Sequence, residues 1–248
     1  MQIKKHIPNA ITSMNLLCGV LGVIFTLLFP DGVKTGFLLM GAAAVFDFLD
    51  GFAARKLGAY SEIGKELDSL CDMVSFGVLP SVMMVMTMAT KRGETDWICF
   101  IPVLIAIFSA LRLAKFNTDP RQKETFIGLA TPACAMLCAS LCYYVAAVPY
   151  SKLSFLCGTV WFLPLLAVIL SALLVGEIPM FSLKAAYPKG SAAHMGRISF
   201  FTISAIAAVM VAALGLNWSL IVLMIFSAYI LINLVFHAFP STRGLGIE

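Results

Sequence analysis

The apolar residues of this chain fall into long continuous runs rather than alternating with polar ones. Eight runs stand out, at about 14–30, 35–54, 67–90, 97–116, 128–149, 155–175, 198–215 and 218–238. None has the period of two that marks a strand, and each is near the ~20 residues a helix needs to cross a bilayer. Lipid offers the backbone no hydrogen bonds, so such runs must satisfy their own as helices. The pattern predicts an all-α, polytopic membrane helix bundle of about eight transmembrane helices. Ahead of the first run, MQIKKHIPNAIT is short and basic. It predicts a brief N-terminal interfacial segment, with a break at Pro8 and Asn9. Residues 1–9 are polar and no small-residue cleavage site follows the first run, so no cleaved leader is expected. No repeat or low-complexity tract divides the chain, and 1–248 reads as one domain.

Composition sharpens this reading. Hydrophobic residues make up 60% and charged residues 12% of the chain, and mean hydropathy is +0.96. A soluble surface needs about twice that charge. The net charge of +4 matters through its placement, and no nucleic-acid partner is implied. With eight spans, the side holding both termini carries Lys4, Lys5, Arg55, Lys56, Lys65, Arg112, Lys115, Arg121, Lys123, Lys184, Lys189, Arg197 and Arg243, thirteen in all. The other side has four: Lys34, Lys91, Arg92 and Lys152. That asymmetry predicts cytoplasmic termini in a cell membrane. Trp97, Trp161 and Trp218 fall near span starts, where interface anchors belong. The seven cysteines lie mostly inside apolar runs. Cys134, Cys138 and Cys142 repeat every four residues without His or acidic neighbours, which reads as a packing face. The three histidines are scattered and make no site.

Four aspartates interrupt the second and third runs. Acids inside apolar spans are expensive and point to function. Asp47 and Asp50 are three apart, Asp68 and Asp72 four apart, so each pair shares one helix face. The polar link between them, about 56–65, is short, which makes the two helices antiparallel neighbours whose acidic faces can meet. Four carboxylates need counter-charge, and an all-oxygen site favours Mg2+ or Mn2+. Two such ions would clamp a pyrophosphate, and one aspartate can serve as general base toward an alcohol. The alternatives are solvated helix ends, or an ion pathway through a transporter. Transporter acids more often lie at the midplane among broken helices. Gly51, Ala53, Ala54 and Gly64 beside the acids allow close approach of a ligand or of another helix. Arg55, one turn beyond Gly51, suits either an acid or a phosphate.

Residues 47–72 read DFLDGFAARKLGAYSEIGKELDSLCD. This resembles the signature of the CDP-alcohol phosphotransferase family, D-x2-D-G-x2-A-R-x8-G-x3-D-x3-D. Asp47, Asp50, Gly51, Ala54, Arg55, Gly64, Asp68 and Asp72 fill all eight fixed positions. The resemblance implies that Asp47, Asp50 and Asp68 ligate two divalent metals (Mg2+ or Mn2+), with Asp72 contributing and also acting as the base. It implies that Gly51, Arg55 and Ser61 contact the CDP part of the donor. It adds Asn9 and Thr12, from a P-N-x-x-T element at Pro8, although an N-cap before span one would explain these two as well.

Three further stretches resemble the integral-membrane phosphatidylserine synthases of that family: IPNAITSMNLLCGVLG at 7–22, LRLAKFNTD with FIGLATPACA at 111–119 and 126–135, and LLVGEIPMFSLK at 173–184. Beyond about 184 the likeness is hydrophobicity alone. The resemblance implies transfer of a phosphatidyl group from CDP-diacylglycerol to the hydroxyl of L-serine, by a homodimer embedded in membrane lipid. Serine's carboxylate wants an Arg fork, and Arg112 stands at the aspartates' depth with Asn117 nearby. A positive-inside, snorkelling role explains Arg112 too. Glycerol 3-phosphate and inositol remain as alternative acceptors.

Overall fold

The computed structural model describes residues 3–119, 126–180 and 192–238. Ten α-helices occupy most of that length: α1 (Ile3–Leu28), α2 (Gly32–Leu57), α3 (Glu62–Asp72), α4 (Leu79–Arg92), α5 (Leu104–Thr118), α6 (Thr131–Ala147), α7 (Lys152–Cys157), α8 (Phe162–Val175), α9 (Ala192–Ala213) and α10 (Ser219–Ala238). Five helical stretches are long and apolar enough to cross a membrane, and three shorter apolar helices, 131–147, 162–175 and 219–235, follow the remaining predicted runs. The chain is therefore an integral membrane helix bundle. A two-residue antiparallel bridge, β1 (Phe126–Ile127) with β2 (Pro179–Met180), ties the loop after α5 to the loop after α8.

The N-terminus departs from expectation. α1 runs unbroken through Pro8 and Asn9. Pro8 is the sixth residue of α1, so its missing N–H leaves one carbonyl near the helix start, that of Lys4, without its i+4 donor. The same continuity rules out Asn9 and Thr12 as N-caps. Thr12 Oγ1 instead donates to the Pro8 carbonyl at 3.0 Å. At about 1.5 Å per residue, 26 residues exceed the ~30 Å hydrocarbon core. The basic first turns can thus lie in the headgroup zone without a break.

The link between the acidic helices is tighter than the sequence suggested. α2 ends at Gly58, whose φ of 58° is left-handed and whose N–H closes on the Ala54 and Arg55 carbonyls. Ser61 then caps α3, its Oγ accepting from Gly64 N at 3.0 Å. From there α3 continues into α4 through a π-helical turn, Met73–Val78, giving a helix of 31 residues. The added residue in that turn swings Ser75 toward α1, where its Oγ donates to the Asn15 carbonyl at 3.1 Å.

The sixth run is not one helix. α7 and α8 are separated at 158–161, and Gly158 ends α7. The fourth span opens as a 3₁₀ stretch, Trp97–Val103, before α5. Ahead of it, Arg92 forms a fork with Asp96 at 2.8 Å on both nitrogens, which holds the Asp96 carboxyl below the usual range.

α6 is the most buried helix, and Cys134, Cys138 and Cys142 are fully enclosed in the core. None of the seven cysteines is disulfide-bonded, so the stripe is packing. Trp97, Trp161 and Trp218 are exposed at helix starts, as anchors should be, and the Trp218 ring also meets those of Phe37 and Tyr143 at a tilt. α1 packs along α2 and also against α3, the π turn and α4. A Cβ on Gly19 would overlap Ser75 Oγ and come within 3.0 Å of its Cα. Gly19→Ala should therefore destabilise the protein by about 1–3 kcal/mol through overpacking, seen as a lowered melting temperature in detergent. An unchanged melting temperature would show that this contact yields.

Candidate active site

Three carboxylates converge. Asp47, Asp50 and Asp68 each offer an oxygen, and these lie within 4.8 Å of one another. Asp50 is buried and the other two are half-buried. α2 meets the α3–α4 helix chiefly through the π turn and α4, whereas at the acidic end both helices pack on α1. The acids thus face each other across a gap that α1 walls. Asp50 Oδ2 and Asp68 Oδ1 are buried with no hydrogen-bond partner. Lone pairs left this way are costly unless something fills them. A hard divalent cation fits an all-oxygen donor set of this kind, so the residues suit the group that the sequence implied.

Asp72 stands beside this group rather than in it. It is buried at the start of the π turn, within electrostatic reach of Asp47 and Asp68. Asn15 of α1, fully buried, donates from Nδ2 to Asp72 Oδ1 at 3.1 Å. Ser75 in turn grips the Asn15 backbone. This orients one carboxylate oxygen and leaves the other for chemistry. Asn15 falls within the stretch 7–22 that resembles the phosphatidylserine synthases. The signal that would have found it is a carboxamide inside an apolar span, three residues past Thr12 and so on the same helix face.

Beside the acids lies an open cleft of about 190 Å³, lined in part by Asn9, Thr12, Asp50, Gly51, Ser61, Gly64 and Asp68. Four of the five residues expected to contact the nucleotide therefore border one cavity. Thr12 also lies close to the Asp50 carboxylate. Gly64 earns its place by space: a Cβ there would sit 2.9 Å from Ser61 Oγ and 3.0 Å from Asn9 Oδ1. The fifth residue, Arg55, is exposed and folds back over Gly51, its Nη1 3.5 Å from where a Cβ would be. A larger cavity of about 330 Å³ lies at the opposite end of the bundle, between Lys91 and α7. It has no acidic lining residue, so volume does not decide which is the site.

Arg112 of α5 is buried on the far side of Asp72, within electrostatic reach of it. Its Nη1 donates to Thr131 Oγ1 at 3.4 Å, and its guanidinium lies over the Phe116 ring at 5.2 Å. A snorkelling cation would be exposed, and this one is turned inward. Asn117 does not face Arg112 in the same way. Its Nδ2 is used by Ser69 Oγ at 2.8 Å and its carbonyl by Lys65. Lys115 pairs with Glu177 at 3.4 Å. Arg121, Lys123, Lys184, Lys189 and Arg243 lie outside the described residues.

Five of the eight signature positions, Asp50, Gly51, Ala54, Gly64 and Asp68, thus line one cleft, and Asp47 shares the acid cluster at its edge. A match to the family described as CDP-alcohol phosphatidyltransferase spans residues 5–173. The chain belongs to that family. It is accordingly an enzyme, and α1 to α8 are the part that matches. Among similar family members, the CDP-diacylglycerol–serine O-phosphatidyltransferase of Bacillus subtilis (strain 168) is 36% identical over 155 residues, 62% of this chain and 82% of that protein. The protein of the same name from Mycobacterium bovis is 34% identical over 227 residues, 87% of this chain and 74% of its own length. That from Mycobacterium leprae is 35% identical over 184 residues, 70% of this chain and 57% of its own.

Asn15→Ala should lower kcat by about 100-fold, since a misaimed reacting group commonly loses that much, while the KM of the nucleotide donor changes little. Steady-state kinetics on the purified variant measures both. A kcat within threefold of wild type would show that Asp72 needs no brace.

Proposed function

We propose that this family member transfers the phosphatidyl group of CDP-diacylglycerol to the hydroxyl of L-serine, giving phosphatidylserine and CMP. The observation that carries the acceptor is Arg112: a buried guanidinium beside Asp72, presenting a planar fork to a carboxylate. The names of the similar proteins support the same choice.

In this reading the donor's acyl chains stay in lipid while its CDP occupies the cleft of Asn9, Thr12, Gly51 and Ser61, with Arg55 at its mouth. Mg2+ or Mn2+, two per site and held by Asp47, Asp50 and Asp68 with Asp72 contributing, would neutralise the pyrophosphate and the charge on the departing CMP. Arg112 holds the serine carboxylate, which aims the hydroxyl at Asp72. Asp72, oriented by Asn15, takes the hydroxyl proton. The serine oxygen bonds to the phosphorus attached to diacylglycerol. The bond from that phosphorus to the CMP oxygen breaks, and CMP leaves with the electron pair. Asp72 then returns its proton to water. No covalent enzyme intermediate is needed. Asn117, spent on Ser69, contributes by fixing α3 against α5 and so by setting the Asp72 to Arg112 distance. The site opens to the cytoplasm, the side on which the sequence's positive charges collect. A homodimer belongs to the same proposal and rests on the family resemblance.

The test is CMP release by purified protein in detergent with CDP-dioleoylglycerol and MgCl2 or MnCl2, supplied separately with serine, glycerol 3-phosphate or inositol. The lipid product is identified by mass. Serine alone should support release, Asp72→Asn should abolish it, and Arg112→Lys should raise the serine KM by about tenfold or more. Release with glycerol 3-phosphate or inositol in place of serine would overturn the acceptor.

A further inference from the structure

Two contacts between the α3–α4 helix and α5 lie on either side of Asp72 and Arg112. On the cytoplasmic side Asn117 Nδ2 donates to Ser69 Oγ at 2.8 Å. On the membrane side Gly77, in the π turn, packs against Ser109. A Cβ on Gly77 would stand 3.1 Å from Ser109 Cβ, with Ala106 Cα at 3.7 Å. Both residues are buried, and Ser109 Oγ has no hydrogen-bond partner among the described residues. The contact is therefore steric, and α5 comes as near the π turn as a residue without a Cβ allows. The two helices are consecutive spans, so they run antiparallel. Ser69 and Gly77 are eight residues apart on one, and Ser109 and Asn117 are eight apart on the other. The register is thus pinned at both ends, with Asp72 and Arg112 in the interval between. α5 also packs far more on the π turn than on α4 or α6, so that turn governs where Arg112 stands.

We propose that Gly77 and Ser109 are positioning residues whose contact sets the span from Asp72 to Arg112, and with it the length of acceptor the enzyme uses. This inference rests on the serine reading above, in which Arg112 holds the acceptor's carboxylate and Asp72 meets its hydroxyl. The chain between those two groups must then match the span. The Asn117–Ser69 end is a bond between two side chains, which can lengthen. The Gly77–Ser109 end joins backbone to a Cβ, so nothing yields there unless α5 moves. A Cβ on Gly77 would push Ser109 back by a few tenths of an ångström. Arg112 lies one turn on along the same face of α5 and would go with it. Misplacement by 1 Å costs about 100-fold, so a shift of this size is felt. A wider span disfavours serine and favours homoserine, which has one more methylene between the same two groups.

The experiment measures kcat/KM for serine, the KM of CDP-dioleoylglycerol, and the ratio of the two lipid products formed from an equimolar mixture of serine and homoserine, read by mass. Gly41→Ala, where a Cβ would meet nothing within 4 Å, serves as control and should change none of the three. Gly77→Ala should lower kcat/KM for serine by about fivefold and raise the share of homoserine product, with the donor KM within twofold. Adding Ser109→Gly removes the crowded Cβ and should restore kcat/KM to that of Ser109→Gly alone. Adding Ser109→Ala, which keeps the Cβ, should not. If Gly77→Ala proves unstable, Ser109→Thr, which thickens the same contact from the α5 side, should shift the product ratio the same way. An unchanged product ratio, a donor KM that rises with the serine KM, or a Gly77→Ala/Ser109→Gly double variant no better than Gly77→Ala would overturn the inference and leave the serine reading intact. A wild type that makes no phosphatidylserine would overturn both.

Discussion

Carboxylates that share a poorly solvated gap repel one another, and the rest of this structure depends on how that repulsion is met. At the separations found among Asp47, Asp50 and Asp68, each charged pair opposes folding by on the order of 3 kcal/mol at an effective dielectric of ~20. Three such pairs approach the whole stability of a typical domain. A sequence that keeps them must supply a counter-charge when the site works, and two buried oxygens without partners mark where it goes. The glycines and alanines nearby, the short capped link and the open cleft all follow from holding acids face to face while leaving room for a charged donor.

α1 is the brace. It lies between the two acidic helices where they splay, and from successive turns of one face it contributes Asn9 and Thr12 to the cleft and Asn15 to Asp72. The π turn after Asp72 makes this possible, since without it Ser75 would not reach the Asn15 carbonyl. The arrangement separates two roles within one acidic cluster. Asp47, Asp50 and Asp68 form the group suited to cations, and Asp72, held by a carboxamide and facing a buried arginine, is suited to moving a proton.

Much of this was legible in the chain. Runs of about twenty apolar residues can only be helices in lipid, so the spans emerged in order, and the eight-residue signature brought the acids and the cleft residues together. What was hidden depends on tertiary contact. Periodicity does not show that α1 continues through Pro8, because a proline in the first turns removes so little. It does not show a π turn, whose one extra residue leaves the apolar pattern intact. It does not separate α7 from α8, since both are apolar. Asn117 looked like a ligand because it lies near Arg112 in sequence, yet five residues along a helix turn it onto Ser69. Asn15 lay inside a recognised stretch without a role, for the opposite reason: it meets Asp72 only because α1 is folded against α3.

The most direct test of the account is divalent-ion binding in the absence of substrate. Mn2+ is titrated into the detergent-purified wild type and into Asp50→Asn, and free ion is followed by electron paramagnetic resonance. The account predicts saturable uptake of about two ions per chain by the wild type, and a loss of at least one in the variant while its melting temperature holds. A folded wild type that takes up no Mn2+, or a variant that binds as the wild type does, would contradict it.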